Sequence, residues 1–247
     1  MTKLYTDTSA NLPLALLREY DIAVIPFSYT VNGVAEDYSE ETDFDGKAFY
    51  DAMRRGAEVK TSMVNPATAA AFFERALAQG DDVLYVGMSG GISGTAHAAA
   101  LAAEELREKY PHAKIMTIDT YAASLGEGLQ VLEAAELLRA EDDYLDGLAR
   151  SRLPNEGTRV PCGALRDAPE VLRTRMVRLL RERLGAGQRD FTAAHYEAMT
   201  ALALSEKDSL LHLPGGVRAE KRGDVWALRY APPPLPQTAL PDGSAVR

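Results

Sequence analysis

The chain has 247 residues, 46% hydrophobic and 26% charged, a globular balance with core enough for one large or two small domains. No apolar run nears the ~20 residues of a membrane span, and a single cysteine, Cys162, excludes an internal disulfide or a paired-cysteine metal or redox site. The net charge of −9 is uneven: residues 1–140 hold 21 acidic and 11 basic side chains, whereas 150–189 hold ten arginines against four acidic residues.

The polar start MTKLYTDTSANLP lacks the apolar stretch of a secretory signal, so a cytoplasmic protein is expected. Lys3 to Thr6 is a short strand-like run. Asn11 then reads as an N-cap, with Pro13 in the first turn of a short helix. DIAVIPFSYTVNG is β-rich and ends on Asn32-Gly33, a hairpin-type turn. Asp45 to Arg55 and Pro66 to Gln79 read as helices, with Gly80 placed to end the second. DDVLYVGMS (Asp81 to Ser89) is a continuous apolar strand of the kind buried on both faces of a parallel sheet. It runs through GGISGT into a helix from Ala96 to Lys109. AKIMTID (Ala113 to Asp119) is the next strand and Ala123 to Arg139 the next helix. Repeated strand-loop-helix units predict an α/β fold, a parallel sheet with helices on both faces.

The pattern changes near residue 140. EDDYLDGLARSRL is amphipathic. A Pro/Gly-containing loop follows, then a helix in APEVLRTRMVRLLRERLG with Leu172, Met176, Leu179, Leu180 and Leu184 at helical spacing. Thr192 to Leu204 is a further helix. SLLHLPGGVRAEKRGDVWALRY reads as paired short strands, and the Pro-rich stretch 231–247 has little to pack. The expected layout is therefore an α/β domain over 1–138, a smaller, mostly helical segment ending in a β-hairpin over 141–230, and a tail over 231–247.

In parallel sheets ligands bind beyond the carboxyl ends of the strands. Thr6-Asp7, Ser89 to Thr95 and Asp119-Thr120 all follow strands and should gather there. Gly90, Gly91 and Gly94 allow close backbone approach, and the following helix offers free N–H groups to an anion. Thr61-Ser62, just before a proline-started helix, adds a second hydroxyl pair. An ordinary strand-to-helix connection would carry the same glycines, so the loop alone is a weak signal. No nucleophile is paired with a base, no His/Cys/Asp cluster has metal-ligand spacing, and no catalytic residue, metal or cofactor is expected. His195, His212, Trp226 and Cys162 read as packing residues. Asp119 could line the site or cap the loop after it.

TDTSANLP, the VNG turn, FYDAMRRG, KTSMVNPA, GDDVLYVGMSGGISGTAHAA, EKYPHAKIMTIDT and ASLGEGL follow one another over residues 6–128. In that order they resemble the N-terminal domain of the DegV family of bacterial fatty-acid-binding proteins, whose architecture is the EDD fold. The resemblance covers about the first 138 residues and implies a bound long-chain fatty acid. Its carboxylate would be held by Thr61 and Ser93, with Ser62, Gly94 and Thr95 as neighbours. It also implies a carrier, not an enzyme, that presents its fatty acid to a separate fatty acid kinase. Two motifs depart from the family: Ser89-Gly90-Gly91 stands where Ser-Ser-Gly is usual, and Met63-Val64 where Gln-Pro is usual. The motifs of the family's second domain, with the residues that close over the acyl chain, are not visible after residue 140, so that domain is expected to be missing.

EDDYLDGLARSRL, VLRTRMVRLLRERLG, FTAAHYEAMTALA and SLLHLPGGVRAEKRGDVWALRY instead resemble the region after the catalytic domain of tRNA(Ile)-lysidine synthetase, over roughly 141–230. That resemblance implies contact with tRNA through the C-terminal segment, to which the arginine-rich helix is electrostatically suited. The synthetase's nucleotide loop needs Asp-Ser where this chain has Ser93-Gly94, which argues against the enzyme itself. The chain thus reads as a fusion near residue 140 in which neither parent is complete, and the alternatives to a fatty-acid carrier are a tRNA-binding fragment of that synthetase or a composite chain with no settled function.

Overall fold

A computed structural model describes residues 1–36, 44–187 and 190–231. The Pro-rich stretch lies, from residue 232 on, outside the described residues. In the first half, β1 (Thr2–Asp7) leads through a 3-10 turn (Thr8–Ala10) to α1 (Leu14–Glu19), β2 (Ala23–Ile25), β3 (Ser28–Val31) and β4 (Val34–Glu36). Then come α2 (Gly46–Arg54), β5 (Val59–Ser62), α3 (Pro66–Leu77), β6 (Asp82–Gly87), α4 (Thr95–Lys109), β7 (Ile115–Asp119) and α5 (Leu125–Ser151). The second half holds β8 (Arg159–Pro161), α6 (Cys162–Arg166), α7 (Glu170–Arg183), α8 (Ala193–Leu204), β9 (Ser209–His212), β10 (Val217–Arg222) and β11 (Val225–Tyr230).

The central sheet has the order β2-β1-β6-β7, all parallel. Strand alternation divides its side chains between two cores. Tyr5, Val83, Tyr85 and Ile115 pack with Phe73, Leu77, Ala99 and Ala102 of α3 and α4 on one face. Leu4, Val24 and Val86 pack with Leu17 of α1 and with Val131 and Ala135 of α5 on the other. The parallel sheet with helices on both faces is thus as the sequence predicts, and it brings the ends of β1, β6 and β7 to one edge.

Local chemistry sets the element ends. Asn65 accepts from the Thr68 N–H at 2.9 Å and Pro66 opens α3, while Asp45 accepts from Ala48 N–H at 2.9 Å to start α2. At the β3–β4 hairpin both central residues, Asn32 (φ 50°) and Gly33 (φ 80°), are left-handed, as a type I′ turn requires. Asn11 departs from expectation: it ends the 3-10 turn in the left-handed region (φ 50°), and Pro13 takes the position before α1. β3 is flanked by β4 and β5 in a second, antiparallel sheet.

The helix expected to end at Arg139 runs on to Ser151. EDDYLDGLARS continues the helical amphipathicity with no proline to interrupt it, so one helix crosses the 138–141 boundary that composition suggests. Its first half packs on the central sheet, while Ala149 enters a third core built from Leu165, Leu172, Met176, Leu180, Met199, Trp226 and Leu228. That core is covered by an antiparallel sheet of order β8-β11-β10-β9, in which β10 and β11 form the expected hairpin. His195 does not merely pack: its Nδ1 accepts from the Thr192 N–H at 3.0 Å and caps α8.

The halves are joined by more than α5. Arg178 Nη1 donates to Asp81 Oδ1 at 2.7 Å, and its Nη2 donates to the carbonyls of Gln79 and Gly80 at 3.2 Å each. Ala193 N–H donates to Ala78 O at 3.2 Å. Gly80 has φ +80°, and a Cβ there would sit 3.0 Å from Ala193, so the α3–β6 turn admits α8 only as glycine.

Candidate functional site

Beyond the end of β1 lies a cavity of about 850 Å3. One wall is polar backbone and hydroxyl: Thr6, Asp7, Thr8 and Asn11, continued by Leu12, Leu14 and Leu17 toward α1. The opposite wall is aromatic, formed by Tyr29 of β3, Phe44, and Phe49 and Tyr50 of α2. Phe49 lies edge-on to Tyr29, Phe44 and Tyr50 at centroid distances of 5.7, 5.1 and 5.3 Å. Phe44 and Tyr50 are more than half exposed, so this wall also faces solvent.

Thr61 is the one sequence-predicted headgroup residue among those lining this cavity; it sits on β5 opposite Tyr29 and is exposed. Ser62, also exposed, is paired with Ser28. Ser93 and Gly94 lie on the loop between β6 and α4, and Thr95 opens α4. That loop meets the Thr61–Met63 segment directly, for a Cβ on Gly94 would lie 2.7 Å from Met63 Sδ. The two predicted hydroxyl segments are therefore neighbours. Ser93 Oγ is 2.9 Å from Thr95 Oγ1 and accepts from Thr95 N–H at 3.2 Å, which fixes its rotamer at the start of α4. Thr95 is buried, Ser93 half-buried and Gly94 exposed. Gly94 offers no side chain to cap α4, so Ser93 supplies the capping oxygen from one residue earlier.

Asp119 caps instead of lining the site. Its Oδ2 accepts from Gly90 N–H at 3.0 Å and its Oδ1 from Tyr121 N–H at 2.9 Å, tying the β6 and β7 loops together. Ser89 is buried, its N–H donating to Ala122 O at 2.8 Å and its Oγ accepting from Gly91 N–H at 3.2 Å.

Sequence reasoning missed two features. One is the aromatic wall, whose members are dispersed over 29–50. The other is a buried carboxyl pair behind the polar wall, Asp7 and Glu127. Asp7 Oδ2 accepts from Tyr85 OH at 2.6 Å, and Asp7 Oδ1 accepts from Ser9 N–H at 2.9 Å. Ser9 Oγ also touches Asp7 Oδ1 and lies 2.6 Å from Glu127 Oε2. Glu127 sits in the first turn of α5 with no exposed surface; burial, then the neighbouring Asp7, pushes its carboxyl up to about 7. The same carboxylate, after burial itself, drives the Tyr85 phenol far above its ordinary range. A usable signal was present: a charged residue between two glycines in ASLGEGL. A Cβ on Gly128 would lie 2.6 Å from Ala10 O, so glycine there lets α5 press Glu127 against the 3-10 turn.

Three of the five arginines of α7, expected to suit phosphates, are buried and committed inside the protein. Arg175 pairs with Asp142 and Asp146, Arg178 with Asp81, and Arg181 is buried beside Phe191 and Tyr196. Arg173 donates to the carbonyls of Leu165 and Ala168, and Arg183 to that of Pro154. The electrostatic argument for a tRNA contact through this helix is weakened by the three that are buried. Among the described residues no helix is long and apolar enough to cross a membrane, and no group of His, Cys, Asp or Glu could hold a metal ion.

Comparison with known proteins gives this geometry a context. The family model "Uncharacterised protein, DegV family" matches residues 1–151. A DegV domain-containing protein of Clostridium perfringens is 36% identical over 134 residues, 54% of this chain and 46% of that protein. A DegV domain-containing 15.5 kDa protein of Staphylococcus aureus is 30% identical over 134 residues, 54% of this chain and 90% of that protein. The chain spans about half the length of most of the curated relatives it matches. Among solved structures, a stearic acid-binding protein of Eubacterium ventriosum superposes with TM-score 0.50 at 24% identity, over 57% of this chain and 48% of that one. A DegV family protein of Thermus thermophilus, described for its fatty acid binding, gives TM-score 0.50 at 23% identity over 94% of this chain and 70% of that one. Both structural likenesses are likenesses of fold. With a family model matched over more than half of its length, the chain belongs to the DegV family.

Proposed function

We propose that the chain binds a long-chain fatty acid without acting on it, holding the carboxylate at Thr61 and Ser93 and the acyl chain in the aromatic-walled cavity. The observation that carries this reading is Thr61, which lines the cavity from a segment whose Met63 packs on Gly94. One hydroxyl can thus serve the headgroup at the point where the tail enters. Ser62, Gly94 and Thr95 shape the same corner. The cavity falls within the ~300–1,000 Å3 of small-molecule sites, and the aromatic wall beside Thr61 supplies apolar surface. Each methylene removed from water contributes about 0.8 kcal/mol, so the tail supplies affinity while the two hydroxyls fix orientation.

Family membership supports a carrier, and so does the site's chemistry. Ser93 Oγ is engaged with Thr95 and, among the described residues, has no base hydrogen-bonded to it, which suits donation to a carboxylate more than nucleophilic attack. A fatty acid bound in this way would be presented to a separate kinase. Titration of the ligand-free protein with stearate, followed by calorimetry, tests the assignment. A hydrogen bond to a charged group contributes ~1.5–3 kcal/mol, so the double variant Thr61→Ala, Ser93→Ala, which loses two, is expected to bind at least about a hundredfold more weakly. Unchanged affinity in the double variant would remove the carboxylate assignment, and no binding by the wild type would remove the function.

A further inference from the structure

Ser9 Oγ carries one proton and lies within hydrogen-bond distance of two carboxyl oxygens, Asp7 Oδ1 and Glu127 Oε2. Two such contacts need a second proton, and it must sit on a carboxyl group. Asp7 receives donors from Tyr85 OH, Ser9 N–H and Met88 N–H, the last at 3.4 Å, as suits an acceptor-only carboxylate. Glu127 receives one further donor, Thr6 Oγ1 on Oε1 at 3.3 Å, which leaves Oε2 as the protonated oxygen. We propose that Glu127 is a neutral acid that latches the cavity wall: Oε2–H donates to Ser9 Oγ, Ser9 Oγ–H donates to Asp7, and losing the Glu127 proton loosens the Thr8–Ala10 turn and its hold on ligand.

The elements packed around Glu127 support this. β1 contributes Thr6 and Asp7, the 3-10 turn Ser9 and the Ala10 carbonyl, and β6 Tyr85, whose hydroxyl already points to Asp7. Among the described residues, the one charge that acts appreciably on Glu127 is that of Asp7, a like charge that opposes ionisation; Asp119 acts on Tyr85 from β7. The start of α5 favours an anion through the helix dipole, yet burial and Asp7 outweigh it. The folded state holds this proton more tightly than the unfolded chain. Its contribution is therefore complete below the ordinary glutamate range and is lost as pH rises through about 7. Thr6, Asp7, Thr8, Ala10 and Asn11 all line the cavity, so the latch and the ligand share one wall.

The latch rests on the Asp7–Ser9–Glu127 geometry and the burial of Glu127, whereas its effect on ligand rests on the fatty-acid reading. Hydrogen exchange at Ser9 and Asn11 in the ligand-free protein, corrected for intrinsic rates, should lose about tenfold protection between roughly pH 6 and 8.5. Glu127→Gln, which keeps a donor to Ser9 and cannot ionise, should abolish that step. A pH-independent wild type, or a Gln variant with the same step, would overturn the latch. Infrared spectroscopy of the wild type needs no variant: a protonated carboxyl band at roughly pH 6 that fades by 8.5 is expected, and its absence at pH 6 also overturns the proposal. Stearate affinity should weaken about tenfold over the same range in the wild type and stay constant in the Gln variant. Affinity independent of pH despite an intact exchange step would overturn the link to ligand. An intact exchange step with no stearate binding at any pH would sink the fatty-acid reading and leave the latch standing.

Discussion

Arg178→Met should destabilise the protein by about 3–5 kcal/mol, the usual cost of removing one partner from a buried ion pair. The side chains of Arg178 and Asp81 are 6% and 12% exposed. The guanidinium also closes the carbonyls of Gln79 and Gly80 and lies 4.8 Å over the Tyr196 ring, so several acceptors lose their donor together. Among the described residues, Asp81 would keep the Met1 amino group as its one remaining side-chain partner. Urea unfolding measures the effect. Replacing both partners, Arg178→Met with Asp81→Leu, should recover part of the loss, since no uncompensated carboxylate is then left inside. A loss under about 1 kcal/mol in the single variant would mean that the two halves are not held by this pair.

Phe73→Ala should cost about 3–5 kcal/mol, as aromatic truncation in a packed core does. Phe73 has no exposed surface, and its ring meets Tyr5 at 5.4 Å and Tyr85 at 6.0 Å. Tyr85 in turn holds Asp7 at the cavity wall. The void should therefore weaken stearate binding as well as lower the melting temperature. A stability loss with unaltered binding would show that the Tyr85–Asp7 contact does not depend on the core behind it.

Much of the α/β half was legible because its signals are local. DDVLYVG is long, apolar and bounded by turn residues, and Asn65-Pro66 and Asn32-Gly33 carry their own conformational reasons. β5 and β8 were not legible: Val59–Ser62 is short and largely polar, Arg159–Pro161 is three residues ending in proline, and both become strands by pairing with distant partners. The long reach of α5 was hidden by a change in composition that has no conformational consequence. For the site, the hydroxyl segments stood out by residue type. The Asp7–Ser9–Glu127 chain did not, because its members are 118 residues apart in sequence and meet only through the packing of α5 on β1. The arginines of α7 carried the opposite lesson: a helix rich in charge buries it when Asp81, Asp142 and Asp146 are at hand.

Lipid extraction from the purified protein, with mass spectrometry of the extract, tests the central claim most directly. A long-chain fatty acid should be recovered from the wild type in near-stoichiometric amount, and little or none from the Thr61→Ala, Ser93→Ala variant. An extract from the wild type free of any acyl chain, in protein that also gains no thermal stability from added stearate, would contradict it.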